Sequence, residues 1–138
     1  MAEALILDSE ALNSLARASL RGALAHRARA ILQVAYEERA LVRVPAPVLA
    51  EVCRGDARDS AVNLVLHGAG IGVVDLTARI SRRAGALLAR RKLSSEHAVD
   101  AFVVATALEF TSAVIATGDP TDIARLAAGY SRVRVFAI

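Results

Sequence analysis

The stretch LSSEHAVDAFVVATAL, residues 93–108, sets one carboxylate, Asp100, among apolar neighbours. Its apolar spacing predicts a helix with almost no polar side to turn toward water. Ser94 or Ser95 is positioned to cap this helix, and Glu96 falls in its first turn, where the helix dipole favours an acid. A buried and unpaired carboxylate costs several kcal/mol or changes its protonation state. Asp100 is therefore expected to lie near a cation, a hydrogen-bond donor or a metal.

Helical and extended patterns alternate along the rest of the chain. Short apolar runs predict strands near residues 5–7, 41–44, 71–76, 112–117 and 132–138. Periodic apolar positions predict helices over residues 11–20, 23–40, 46–54, 58–67, 77–92, 93–108 and 123–128. Because helices separate successive strands, we expect an α/β fold with a central, mainly parallel sheet of about five short strands, flanked by helices on both faces.

Composition indicates one packed domain rather than a membrane protein. The chain has 138 residues, enough for one domain with one core. Although 55% of the residues are hydrophobic, the apolar runs stop well short of the roughly 20 residues that span a bilayer. The first residues include Glu3 but no basic leader, which indicates a cytoplasmic protein. The lone Cys53 also fits a reducing compartment.

Three further acids stand where the local sequence gives little reason for a charge. Asp8 and Asp119 each follow a predicted strand, and Glu51 lies in an apolar helical segment. Functional groups collect beyond the carboxyl ends of strands in parallel α/β sheets. If these acids converge with Asp100, they repel one another, and a hard divalent cation such as Mg²⁺ or Mn²⁺ is the usual remedy. Such a cation can activate water and hold a phosphate for attack, which is metal-assisted phosphodiester hydrolysis.

Four sequence blocks carry these acids: LILDS, VLAEV, HAVDAFVVATA and VIATGDPTDI. Together they resemble the signature blocks of PIN-domain nucleases, particularly the VapC-type toxins of bacterial toxin–antitoxin pairs. The resemblance covers nearly the whole chain and implies a single PIN-like domain over residues 1–138. It implies that four acids bind Mg²⁺, or alternatively Mn²⁺, and act in catalysis: Asp8, Glu51, Asp100 and Asp119. It also places the Thr117 hydroxyl in the site and matches Asp122 to a further acid, which would serve as a ligand or as a helix cap.

The resemblance further implies an endoribonuclease that cuts structured RNA, commonly tRNA or rRNA, and is silenced by a cognate VapB-like antitoxin. In such pairs an antitoxin tail lies along a groove between N-terminal helices, here residues 11–20 and 23–40, although the same apolar faces also suit core packing. Family members usually dimerise, so a homodimer is expected. The alternative is a non-catalytic PIN-like module that binds RNA or protein, but four mutually repelling acids argue against a disused site.

Arginines dominate the positive charge, which gives a net charge of +3 and a pI near 9.7. Four of them share one face of the helix predicted over residues 77–92: Arg79, Arg82, Arg83 and Arg90. This basic stripe is either a solvated outer face or a contact surface for RNA phosphates or a partner.

The three histidines and the other acids offer weaker alternatives for the chemistry. His26, His67 and His97 lie on separate segments with no pairing motif, so each is at most an isolated candidate for a general base. His97, three residues before Asp100, is expected to flank the pocket. A phosphatase of the haloacid dehalogenase type would need an Asp-x-Asp pair where this chain has an aspartate, a serine and a glutamate. A receiver domain would need a lysine after a later strand, whereas the only lysine, Lys92, ends a predicted helix.

Overall fold

The computed structural model describes residues 3–138, apart from the side chain of Arg21. Within these residues, five strands alternate with eight α-helices. The strands are β1 Glu3–Leu7, β2 Leu41–Pro45, β3 Gly72–Val74, β4 Ser112–Thr117 and β5 Val133–Ala137. The helices are α1 Ser9–Ala16, α2 Ala18–Arg21, α3 Ala23–Glu37, α4 Ala46–Val52, α5 Asp59–Gly68, α6 Ala78–Arg90, α7 Ala98–Ala107 and α8 Pro120–Ala127, with a short 3-10 helix, Ser95–His97, before α7.

All five strands are parallel and lie in the order β3-β2-β1-β4-β5. The first strand is therefore central: Leu5 is in register with Val42 of β2 on one side and Val114 of β4 on the other. Parallel strands need long crossover connections, and the helices that supply them cover the sheet on both faces. The predicted α/β fold with a mainly parallel five-stranded sheet is confirmed.

Burial is complete where β1 and β4 meet α7. Ile6 and Leu7 of β1, Ile115 of β4 and Val103 and Val104 of α7 are completely buried. Full burial of one such side chain stabilises the fold by about 1.5–3 kcal/mol. Helix α7 packs against α6, α8 and the central strands. This enclosure is why the helix has no polar face, as its sequence predicted.

Some helix ends differ from the prediction. The segment before α7 is a 3-10 helix, and Ser94 at its start makes no capping hydrogen bond through its side chain. Helix α8 begins at Pro120 rather than at Ile123, because the fixed φ of proline suits a first helical turn. Thr77 caps α6, since its hydroxyl accepts the N–H of Ile80 at 3.2 Å.

The helices described here are short. None of them, within residues 3–138, combines the length and the apolar composition needed to cross a bilayer.

Candidate functional site

The site begins at the carboxyl end of the central strand. The backbone N–H of Asp8 donates to the carbonyl of Ala116 at 3.2 Å, which continues the β1–β4 ladder by one residue. The Asp8 side chain turns back, and its Oδ1 accepts the N–H of Ala11 at 2.9 Å. Asp8 is therefore the N-cap of α1, and the residue is 6% exposed. The cap holds the carboxylate in one orientation at the edge of the sheet.

Burial and hydrogen bonding act on Asp8 in opposite directions. Desolvation raises the pKa of Asp8, while hydrogen bonds from the Thr117 hydroxyl and the backbone N–H groups of Ala11 and Gly118 lower it, with burial the larger effect. The oxygen of Thr117, which is fully buried, also accepts the N–H of Asp119 at 2.8 Å. Thr117 therefore links the acids that follow β1 and β4.

Asp100 lies in the first turn of α7, and its side chain is half-buried. Burial is the main cause that raises its pKa, to about 6, and four negative neighbours add to the effect: Asp119, Asp8, Asp122 and Glu51. Each of these carboxylates disfavours a charge on Asp100 only because it is close. Asp100 also lines the same cleft as Asp8 and Asp119, so it faces the strand ends that carry these two acids.

Glu51 is contributed to the cleft by α4. It is exposed, and its Oε1 accepts a hydrogen bond from the hydroxyl of Ser9, the first residue of α1. Asp119 is also exposed and occupies the N-cap position of α8 without capping it through its side chain. The exposed acids stand at the mouth of the site and the buried Asp8 at its base.

These acids line one cleft of about 300 Å³. Its lining consists of Asp8, Ser9, Glu10, Leu24, Glu51, Val99, Asp100, Val103, Gly118 and Asp119. Because a water occupies about 30 Å³ in the liquid, a hydrated cation and a phosphate group fit within it. The structure thus brings together all four acids that the sequence singled out, while their roles as ligands stay predictions.

The chemistry of the cleft fits a hard divalent cation. Its side-chain donors are mainly carboxylate oxygens, which Mg²⁺ and Mn²⁺ prefer. Negative charge is crowded there, because the carboxylates of Asp8, Glu10, Glu51, Asp100 and Asp119 line the same cleft. A cation shared by the carboxylates would remove that repulsion.

A second group of side chains that could bind a metal ion lies beside the cleft. One oxygen each of Asp100 and Asp122 and one ring nitrogen of His97 lie within 4.8 Å of one another. Asp122 is in the first turn of α8 rather than at its cap, because Asp119 holds the cap position. Of the two roles considered for Asp122, that of helix cap is therefore wrong.

The predicted basic stripe is mostly engaged within the chain. Arg79 forms an ion pair with Glu109, and Nη1 of Arg83 lies 3.7 Å from the same carboxylate. The guanidinium of Arg90 stacks over the ring of Tyr130 at 5.0 Å. Arg82 is exposed. A role for these arginines in binding RNA or a partner stays a prediction.

Sequence reasoning missed the two other polar side chains of the cleft, those of Ser9 and Glu10. Both follow Asp8 directly, so the first turn of α1 carries them to the same edge as the acid. The side chain of Glu10 lies so close to Gly118 that a Cβ there would come within 2.2 Å of the Glu10 Cγ. If Asp8 had been recognised as the N-cap of α1, Ser9 and Glu10 would have been placed in the first turn beside it.

The fold and the cleft define an α/β domain that gathers carboxylates at the carboxyl edge of a parallel sheet. The model of the PIN domain family matches residues 5–129. The chain belongs to the PIN domain family, and this confirms the resemblance seen in the four sequence blocks.

One solved structure, described as a "Toxin-antitoxin complex from Klebsiella pneumoniae", shares the fold with a TM-score of 0.65. It is 20% identical in sequence, and the alignment covers 97% of this chain and 99% of that one. At this identity the likeness shows the fold alone. A search of curated proteins gave no match.

Proposed function

We propose that the chain is a metal-dependent endoribonuclease, a VapC-type toxin that cuts structured RNA such as tRNA or rRNA and is neutralised by a cognate VapB-like antitoxin. The convergence of four carboxylates in one cleft carries this proposal. Membership of the PIN domain family and the fold shared with a toxin–antitoxin complex support it. We place the protein in the cytoplasm, together with its RNA.

The proposed ligands of Mg²⁺, or of Mn²⁺ in its place, are Asp8, Glu51, Asp100 and Asp119. A bound cation would lower the pKa of a coordinated water and offset charge on the RNA phosphate. Three hydrogen-bond donors orient the Asp8 carboxylate, and the Thr117 hydroxyl is one of them. The exposed Glu51 and Asp119 leave the mouth of the cleft open to a phosphodiester from solvent. No side chain is required as a covalent nucleophile.

The proposed antitoxin surface adjoins this mouth. Leu20 at the end of α2 is 80% exposed, and Leu24 in α3 lines the cleft itself. A partner segment that covered Leu20 would bury apolar surface and would reach the acids past Leu24. The expected homodimer is part of the same proposal, and size-exclusion chromatography with light scattering tests it.

Cleavage of a structured RNA by the purified chain, freed of any partner, tests the activity. We expect cleavage with Mg²⁺ or Mn²⁺ that stops with a chelator. Asp8→Asn and Asp100→Asn should each lower the rate roughly 10²-fold or more. Asp75→Asn is the matched control, because Asp75 also follows a strand, β3, but is exposed and does not line the cleft. Circular dichroism verifies that each variant is folded.

Absence of cleavage by the wild-type chain with either cation would remove the nuclease proposal. If RNA were then bound without cleavage, and no Mg²⁺ or Mn²⁺ bound at millimolar concentration, the alternative of a non-catalytic binding module would replace it.

A further inference from the structure

A histidine stands beside the carboxylate cleft with both ring nitrogens facing acids. His97 ends the 3-10 helix before α7, and Asp122 lies in the first turn of α8. The His97 Nε2 is 3.4 Å from Oε1 of Glu96, and its Nδ1 is 3.7 Å from Oδ2 of Asp122. Asp100 completes the group, with one carboxylate oxygen within 4.8 Å of the other two ligand atoms.

The two ring nitrogens are not equivalent. At 3.7 Å, the Nδ1 and the Asp122 oxygen are too far apart for a direct hydrogen bond. A neutral ring that directs its Nε2 proton toward Glu96 presents the Nδ1 lone pair to Asp122 and Asp100. In metal sites a histidine ligand usually donates its other N–H to a carboxylate, which fixes the ring and increases its basicity. The Glu96 carboxylate, 3.4 Å from Nε2 on an exposed side chain, needs only a small rotation to accept this hydrogen bond.

The spacing of the three ligand atoms also suits a cation. Ligand atoms that share an ion at about 2.1 Å lie about 3 to 4 Å from one another. The observed limit of 4.8 Å lies slightly above this range, so small side-chain rotations close the group. The side chains of His97 and Asp122 are 23% and 31% exposed, which gives an ion access from solvent without leaving the ligands fully hydrated.

We propose that His97, Asp100 and Asp122 form a nitrogen-containing position for a divalent transition-metal ion, next to the oxygen-lined cleft. The imidazole nitrogen makes this position favour Co²⁺, Ni²⁺ or Zn²⁺ over Mg²⁺, since imidazole suits transition metals and Mg²⁺ prefers oxygen donors. Through Asp100 the proposal rests on the proposed function, but it concerns cation binding and not RNA cleavage.

Cation titration in the absence of RNA tests this position. We expect wild-type protein to bind Co²⁺ with a visible absorption band and to bind it more tightly than Mg²⁺ in calorimetry. His97→Gln should abolish the band and weaken Co²⁺ binding at one site at least about tenfold, while the affinity for Mg²⁺ changes less than about threefold. Glu96→Gln should weaken Co²⁺ binding roughly tenfold by releasing the ring. His67→Gln, at an exposed histidine in α5, is the matched control.

Two results separate this proposal from the nuclease. A Co²⁺ band that persists in Asp8→Asn and disappears in His97→Gln supports the transition-metal position even if no RNA is cut. Equal Co²⁺ binding by wild type, His97→Gln and Asp122→Asn overturns the position, whatever the outcome of the RNA assay. Because His97→Gln could perturb the turn before α7, Asp122→Asn provides the second, independent variant.

Discussion

Burial of Asp100, together with repulsion from its acidic neighbours, makes Asp100→Asn a stabilising substitution in the absence of divalent cations. Asparagine mimics the protonated carboxyl and removes the charge that Asp8, Asp119 and the other neighbours oppose. The pKa of Asp100 rises from 3.8 to about 6, and this change corresponds to about 3 kcal/mol at 1.36 kcal/mol per pH unit. Because the side chain is only half-buried, solvent screening lowers the expected effect to about 1–1.5 kcal/mol.

The sign of the pH dependence follows from the raised pKa. Between pH 3.8 and about 6 the folded chain holds the Asp100 proton and the unfolded chain has lost it. The free energy of unfolding therefore falls as the pH rises through this window. The free energy of unfolding of Asp100→Asn should match that of wild type near pH 4 and should exceed it by the full amount, about 1–1.5 kcal/mol, above pH 7.

Urea denaturation followed by circular dichroism, in a chelator and at pH 4 and pH 8, measures the difference. Asp75→Asn, at an exposed acid outside the cleft, should differ from wild type by less than about 0.5 kcal/mol at both values. Excess Mg²⁺ should reverse the sign at pH 8, because only wild type gains the full binding energy. If Asp100→Asn is less stable than wild type at pH 8 in chelator, favourable partners stabilise the charged form of Asp100. The reasoning from burial and repulsion is then wrong.

Two other substitutions test how the strand ends are held. Gly118→Ala should destabilise the fold by about 1–3 kcal/mol, because its Cβ would come within 2.6 Å of both Cβ and Cγ of Glu10. Thermal denaturation should show partial recovery of stability in the double variant with Glu10→Ala. Full stability of Gly118→Ala alone would refute the contact. Thr117→Val should destabilise the fold by about 1–3 kcal/mol and raise the pKa of Asp8, since it removes hydrogen bonds to Asp8 and to the Asp119 N–H. Thr117→Ser should restore the stability, measured by denaturation, and the pKa of Asp8, measured by carboxyl NMR titration. A Thr117→Val protein with unchanged stability and unchanged Asp8 pKa would contradict the bridging role.

The sequence allowed the sheet and the convergence of the acids to be predicted for different reasons. Buried parallel strands are continuous apolar runs, so β1 and β4 were visible as strands that end at Asp8 and just before Asp119. Asp100 was visible because an acid in an apolar helix needs a partner. Helix ends were less predictable: Pro120 could equally have ended a turn or begun α8, and side-chain packing decides between them.

Contacts that depend on rotamers could not be read from the order of residues. The hydrogen bond from Ser9 to Glu51 joins α1 to α4, and the approach of His97 to Asp122 joins the turn before α7 to α8. Each contact depends on how two helices cross, which neither helix encodes alone. The strand order could not be predicted either, since alternating helices and strands are compatible with several parallel arrangements.

The central position of β1 also determines when during synthesis the cleft can exist. Strand β1 is synthesised first and pairs with β2 on one side and with β4 on the other. Strand β4 begins only at Ser112. Contacts so distant in sequence form late, after most of the loop-closure entropy has been lost. A ribosome-bound chain that has not yet released residues 112–119 has neither the β1–β4 ladder nor Asp119. The four acids therefore come together only after residues 112–119 have been released, so under the proposed function an unfinished copy would lack a complete cleft.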